Sequence, residues 1–373
     1  MAKQRMRIIF TVTNDLNYDQ RMIRICNSLM ENGYDVKLVG RKFDDSASLE
    51  NKSFRQKRIK LFFKKGFGFY SEYNIKLFFY LLFQKADVLC CIDLDTILPV
   101  YFASVLKQKT RVYDAHEYFS QLKEIVTRPG VYRVWHFIER VFVPKFKVGY
   151  TVSQGIAEEF FKNYEVTYEV IRNVPLSKPL AKDVNQNSEK IILYQGSVNE
   201  GRGFEYLIPA MKNINALLHI YGDGNFLDKA IKITNENQLE SKVIFKGKFL
   251  PKELDRITQN AYLGINLVEP LGKSQLLSLA NKFFDYIQNE LPQVTMNFPE
   301  YKRINDEFEV AVLLDDLSVA AIEKSLNKLL NDGLLYSRLK QNCQRAREKY
   351  NWQNEEKKLL RFYKRFHQQT NPA

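Results

Sequence analysis

Residues 112–119 read VYDAHEYF. His116 is one of four histidines in the 373-residue chain, with Asp114 two positions before it and Glu117 directly after. An imidazole set among carboxylates has three ordinary uses: metal ligand, proton carrier, or buried polar side chain. No histidine stands four residues on and no cysteine is near, so the spacing argues against a metal site. The four cysteines (Cys26, Cys90, Cys91, Cys343) lack C-x-x-C spacing and read as reduced thiols. Asp93 and Asp95 form the D-x-D pattern of a metal pair. However, Asp95 precedes the apolar segment TILPVYFASVLK, where an aspartate suits a helix N-cap.

A second chemical signal is YQGSVNEGRGFEYLIPAM, residues 194–211. An apolar strand runs into a loop with Gly196, Gly201 and Gly203, then into a helix. Glycines let backbone approach a ligand closely. The free N–H groups of the new helix and the charge of Arg202 favour an anion, and a nucleotide diphosphate fits that description. A plain strand-to-helix turn is the simpler alternative. Downstream, YGDGNF supplies Gly222 and Gly224 but no third glycine, so a dinucleotide fingerprint is not complete.

The elements that must position these residues alternate. MRIIFTVT (6–13) reads as a buried strand. DQRMIRICNSLMENG (19–33) is a helix with Met22, Ile25, Cys26 and Leu29 on one face and a stop at Gly33. Strands follow at YDVKLVG, ADVLCCI, TRVYDA and KVGYTVS, with Ser153 placed to cap the helix QGIAEEFFKNY. Near residue 173 a polar segment with two prolines reads as a linker. A second strand–helix series then runs from IILYQGS to QVTMN, and the chain ends in helices. The last of these carries Leu359, Phe362, Tyr363 and Phe366 on an apolar stripe. The fold class is α/β, with two doubly wound, Rossmann-like domains facing a central cleft.

Composition narrows the partners. Hydrophobic residues make up 45% and charged residues 27%, a globular balance. The net charge of +13 points to an anionic partner. Seven basic residues and no acidic one fall between Asn51 and Ser71, interleaved with aromatics. Residues 55–70 therefore read as a surface for anionic lipid head groups, or as a strand with a solvated basic loop. No signature of nucleic-acid binding is present. No apolar run reaches the roughly 20 residues of a membrane span, so the expected location is cytoplasmic, peripheral at the inner face of the membrane.

In order and spacing, NYDQRMIRICNSLMENGYDV, VYDAHEYF, GYTVSQGIAEEF, VIRNVP, YQGSVNEGRGFEYLIPAM, LHIYGDGN and LANKFFDYIQNELPQV resemble the GT-B glycosyltransferases. The likeness is to the retaining family 4 type, near bacterial members that build surface polysaccharides. The resemblance implies an N-terminal acceptor-side domain over 1–173, completed by a last helix at about 354–373. A nucleotide-sugar-binding domain spans 174–353. It implies transfer of a hexosyl or N-acetylhexosaminyl group, with retention, from a nucleotide-sugar to a glycan or lipid-linked acceptor, with no cofactor and no metal. By position, Arg202 would grip the donor diphosphate, together with Gly196 and Ser197. Ser197 stands where the family often has a second cation, and Lys282 would replace it. Asp285 would hold the ribose, and Phe249 and Leu250 the base. Asn17, Tyr18, His116 and Ser278 would face the donor sugar and acceptor. Leu277 occupies the place of the family's first glutamate, and the loop NDLNYDQR lacks the usual glycines. A non-hydrolysing sugar-nucleotide epimerase on the same fold, or a non-catalytic membrane- or anion-binding protein, are the alternatives.

Overall fold

The computed structural model describes residues 5–44, 46–180, 189–249 and 253–367. The chain divides into two compact units. Unit 1 is Met1–Asn173 with Gly272–Ser274 and Glu355–Ala373; unit 2 is Val174–Leu271 with Gln275–Asn354.

Unit 1 holds, in chain order, β1 (Arg7–Thr11), α1 (Gln20–Glu31), β2 (Asp35–Lys42), β3 (Arg55–Lys60), α2 (Gly66–Phe83), β4 (Val88–Ile92) and α3 (Ile97–Lys107). It continues with β5 (Thr110–Ala115), α4 (Lys123–Val126), α5 (Pro129–Phe142), β6 (Gly149–Thr151), α6 (Gln154–Tyr164) and β7 (Glu169–Val170). The strands form one parallel sheet in the order β3-β2-β1-β4-β5-β6-β7. Strand order reverses between β1 and β4, and in such sheets ligands bind beyond the carboxyl ends of the strands at that point. β4 is buried at all five positions, as a central strand covered on both faces must be. Its Cys90 and Cys91 thiols are pushed well up by burial, which makes them poor nucleophiles.

Local signals set the helix starts. The Asp19 carboxylate accepts from the Met22 N–H at 3.0 Å, and the Ser153 hydroxyl from the Ile156 N–H at 3.3 Å. Asp95 corrects an expectation. It does not cap α3, whose N-cap is Thr96 without a side-chain bond. Instead it sits buried inside a 3₁₀ turn, Leu94–Thr96, and accepts the Thr13 hydroxyl. The turn moves the cap position of α3 on to Thr96.

Unit 2 contains β8 (Ile191–Gln195), α7 (Phe204–Ala210), β9 (Leu217–Tyr221), α8 (Leu227–Glu236), β10 (Val243–Gly247), α9 (Leu254–Gln259) and β11 (Leu263–Asn266). After α10 (Lys273–Leu276) come α11 (Asn281–Gln288), β12 (Gln293–Met296), α12 (Pro299–Phe308), β13 (Ala311–Leu314), α13 (Val319–Asn331) and α14 (Gly333–Lys349). Its parallel sheet has the order β10-β9-β8-β11-β12-β13, reversing between β8 and β11. The last helix, α15 (Trp352–His367), begins in unit 2 and passes into unit 1. Leu359, Phe362, Tyr363 and Phe366 are buried there, and the Tyr363 ring meets Phe10 edge-on at 6.0 Å. Among the described residues no helix is long and apolar enough to cross a membrane.

A buried ion pair joins α1 to the sheet of unit 1. Arg21 on α1 donates to Asp114 on β5 at 2.6 Å, with both side chains almost wholly shielded from water. Removing one member strands the other charge in low dielectric. Asp114→Asn is expected to cost about 3–5 kcal/mol. The double change Arg21→Met with Asp114→Leu should cost clearly less. Urea unfolding of the variants measures both.

Candidate functional site

In unit 2 the carboxyl end of β8 carries the glycine loop. Gly196, Gly201 and Gly203 all have positive φ (123°, 81° and 70°), a region that L side chains rarely enter. The loop after β9 buttresses it. The Gly196 N–H donates to Tyr221 O (2.9 Å), Val198 N–H to Asp223 O (3.0 Å) and Phe226 N–H to Val198 O (2.9 Å). A Cβ on Gly222 would stand 1.8 Å from the Gly196 carbonyl oxygen. The glycines of YGDGNF therefore exist for backbone packing, which explains why they fit no phosphate fingerprint.

Two cations meet at this loop. Arg202 lies within it, and Lys282 reaches it from the first turn of α11, which follows β11 across the switch point. The Lys282 Nζ sits 3.4 Å from the centroid of the Tyr194 ring. A Cβ on Gly196 would be 3.4 Å from the same nitrogen. Among the described residues neither cation has a carboxylate at ion-pair distance. Burial, and then the neighbouring Arg202, hold the Lys282 amine well below its ordinary pKa; Asp285 pulls the other way. Two half-buried like charges so arranged are destabilising to each other and are relieved by a bound anion.

Asp285 lies one turn along α11 from Lys282. Its Oδ2 accepts from Gln195 Nε2 at 3.2 Å, and Gln195 Oε1 accepts from the Thr258 hydroxyl at 2.9 Å. Asp285 is thus an oriented acceptor at the sheet edge, three residues from a cation. Ser197 is exposed, and its carbonyl takes the Tyr194 hydroxyl at 2.6 Å. The Ser278 hydroxyl is turned back on Gln275 O at 3.0 Å. At the start of α11 the Ala280 N–H goes to the Tyr301 hydroxyl at 3.0 Å. Phe249 meets Tyr221 edge-on at 6.1 Å and lines a cavity of about 480 Å³ with His219, Arg256 and Ile257. Leu250 lies outside the described residues. The Glu269 N–H donates to Gly201 O at 3.0 Å, which ties the segment after β11 to the cationic loop.

Unit 1 presents a different edge. His116 follows β5, and its Nδ1 lies 4.0 Å from Asp93 Oδ2. Asp93, directly after β4, holds φ +55° and accepts the Glu117 N–H at 2.9 Å. A non-glycine residue in that conformation is strained, and the bond to Glu117 shows what fixes it. Burial pushes the Asp93 carboxyl well up, aided by Glu117, Asp95 and Asp114, and lifts Asp95 to about 7. Burial, then Arg21 and Arg24, drives His116 down to about 3, so its ring is neutral. It remains about a third open to solvent (34%) and can offer one donor and one acceptor. The first loop divides the two residues expected there. Tyr18 is exposed, whereas Asn17 is buried and spends its amide as a latch, on Ser48 O at 2.8 Å and the Glu50 N–H at 3.2 Å. Asn17 thereby ties the first loop to residues 48–50. In the basic stretch, Arg55 pairs with Asp35 and Arg58 with Asp15, while Phe62, Phe63 and Phe67 are exposed.

Sequence reasoning passed over Tyr194 and Gln195, and read Asp93 only as half of a D-x-D pair. A buried glutamine closing an otherwise apolar strand, IILYQ, was the readable signal for Gln195. Nothing in sequence marked the strain at Asp93.

Comparison with known proteins adds to this geometry. Residues 178–346 match the family model described as glycosyl transferases group 1. No curated protein sequence matches. Among solved structures, sucrose-phosphate synthase from Thermosynechococcus elongatus superposes with a TM-score of 0.78 at 13% identity, covering 97% of this chain and 99% of that one. Anabaena Alr3699/HepE, solved with UDP and glucose, gives 0.75 at 14% over 96% and 99%. WaaG, a glycosyltransferase involved in lipopolysaccharide biosynthesis, gives 0.72 at 16% over 95% and 99%. At these identities the likeness establishes the fold.

Two outcomes are expected. Gly222→Ala should distort the glycine loop and destabilise the protein by about 1–3 kcal/mol, read from urea midpoints. For His116 the folded pKa lies below the ordinary 6.5. Its contribution to stability is intact above pH 6.5 and declines as pH falls from there toward 3, because the unfolded chain takes up the proton first. His116→Gln should flatten that part of the stability–pH curve.

Proposed function

We propose that this chain, whose residues 178–346 belong to the glycosyl transferases group 1 and whose two units have the GT-B fold, moves a sugar from a nucleotide-sugar donor to a glycan or lipid-linked acceptor. The observation that carries the reading is the pair Arg202 and Lys282, two cations that, among the described residues, have no carboxylate partner, beside a glycine loop. Their chemistry suits a leaving nucleoside diphosphate. The bond from the anomeric carbon to the diphosphate oxygen breaks, and negative charge grows on that oxygen. Fixed cations in a half-buried setting stabilise that charge more as it develops than in the ground state. The acceptor oxygen bonds to the same carbon, and its proton leaves with the diphosphate.

Within this reading Asp285, held by Gln195, receives the ribose hydroxyls, and Phe249 flanks the base. Neutral His116 orients a sugar hydroxyl as donor or acceptor and is not a nucleophile. Tyr18 serves the acceptor side. Retention, a hexosyl or N-acetylhexosaminyl donor and a role in surface-polysaccharide synthesis follow from the resemblance to family 4. The exposed basic and aromatic stretch within 55–70 supports a membrane-borne acceptor. Arg202 and Lys282 supply the charge that a metal supplies elsewhere, so donor turnover should be independent of divalent ions.

Calorimetric titration with UDP and GDP tests the donor site. Arg202→Ala should weaken the tighter nucleotide by about 10–100-fold, the value of a charged hydrogen bond to phosphate. Unchanged affinity would sink the assignment. Donor hydrolysis should persist in EDTA; its loss, with recovery on adding manganese, would contradict the metal-independent step.

A further inference from the structure

We propose that unit 1 docks on an anionic lipid bilayer through the outer face of α2, α3 and α5, well beyond the stretch 55–70. Tyr73, Leu77 and Leu81 of α2 are buried against the sheet. Two residues further round each turn, about 200° away on the helix, Ile75, Phe79 and Phe83 face solvent at 58%, 54% and 83% exposure. The neighbouring helix α3 repeats the pattern: Val100 and Ala103 are inside, Phe102 and Leu106 outside. In α5, Glu139 points inward and Phe137 outward. The three helices are in contact. Lys107 of α3 donates to Leu81 O of α2 at 3.0 Å, and the Phe102 and Phe142 rings of α3 and α5 meet at 5.9 Å. An ordinary water-facing layer would be polar at these positions.

Charge chooses the occupant. No aspartate or glutamate is exposed in residues 61–109 or 128–147. Lys85, Arg133 and Arg140 are exposed there and, among the described residues, have no carboxylate partner. Arg133, Phe137 and Arg140 fall at i, i+4 and i+7, on one stripe of α5, so the guanidinium groups can lie in a head-group plane while the ring enters the acyl boundary. A two-fold contact between copies would set these cations against their own images. With no helix among the described residues long and apolar enough to span, the face lies on the bilayer. This deepens the membrane-surface part of the proposed function, and rests on that reading only for the location of the acceptor.

The test is flotation of the full chain with phosphatidylcholine vesicles, with and without phosphatidylglycerol, alongside UDP titration of the same preparations. The wild type should float with the anionic vesicles, less so as salt rises. Phe79→Ser with Phe102→Ser should lower partitioning by about tenfold or more while leaving the thermal midpoint and UDP affinity unchanged. Arg133→Gln with Arg140→Gln should lower it on anionic vesicles alone. Variants that float like the wild type, or a wild type that floats with neither vesicle, overturn the proposal. Self-association without lipid that Phe79→Ser with Phe102→Ser abolishes would also overturn it, giving the face to a second copy. Lost flotation with intact UDP binding fails the docking surface alone; the reverse fails the donor site alone.

Discussion

An unneutralised pair of cations governs unit 2. Lys282 is held over the face of Tyr194 with, among the described residues, no carboxylate at ion-pair distance, and Arg202 stands close enough to depress its pKa further. Keeping like charges together in a half-buried place costs free energy, and the surrounding architecture makes them stay. Positive-φ glycines bring backbone against the lysine. The β9 loop, packed through Gly222 on the Gly196 carbonyl, prevents the glycine loop from opening. Asp285 is close enough to temper the charge but is tied to Gln195. The site is thus prepared for an anion before one arrives, and preorganised charge of this kind stabilises a departing diphosphate.

Unit 1 uses buried charge for the opposite end. The Arg21–Asp114 pair sits beneath the β5 edge, and Arg21, after burial itself, helps to keep His116 neutral. Around it, burial, together with the closeness of Asp93, Asp95 and Glu117, makes Asp93 and Asp95 hold their protons more strongly than ordinary carboxyls. The edge is therefore rich in hydrogen-bonding groups yet low in net charge. Such a surface suits hydroxyl-rich ligands, whose recognition needs direction more than charge.

Much of this was legible from residue patterns, because strand and helix periods are local. Alternating strands and helices placed two parallel sheets, and glycine spacing with Arg202 marked the cationic loop. The apolar stripe of the last helix proved to be buried. Where local patterns misled, a longer-range contact had taken over. Asp95 looked like a helix cap but is drawn to Thr13, across the sheet from β1. Asn17, expected on the sugar side, has its amide engaged by a segment some thirty residues away, which no local pattern announces. The outward aromatics of α2, α3 and α5 are spread over three segments. Only the packing of those helices side by side turns scattered phenylalanines into one face.

The central claim is that Arg202 and Lys282 hold a diphosphate. Lys282 has a depressed pKa in the free protein, and an anion beside it must raise that pKa. From about pH 8 upward the nucleotide's own phosphates are fully ionised, so a proton taken up on binding comes to the protein. Calorimetry of UDP binding over an alkaline pH series, in buffers of different ionisation enthalpy, measures that uptake directly. The account predicts proton uptake by the native chain that sets in once the pH passes the free-protein pKa of Lys282, and none by Lys282→Met. Binding of UDP without proton uptake, and with the same affinity in Lys282→Met, would contradict it.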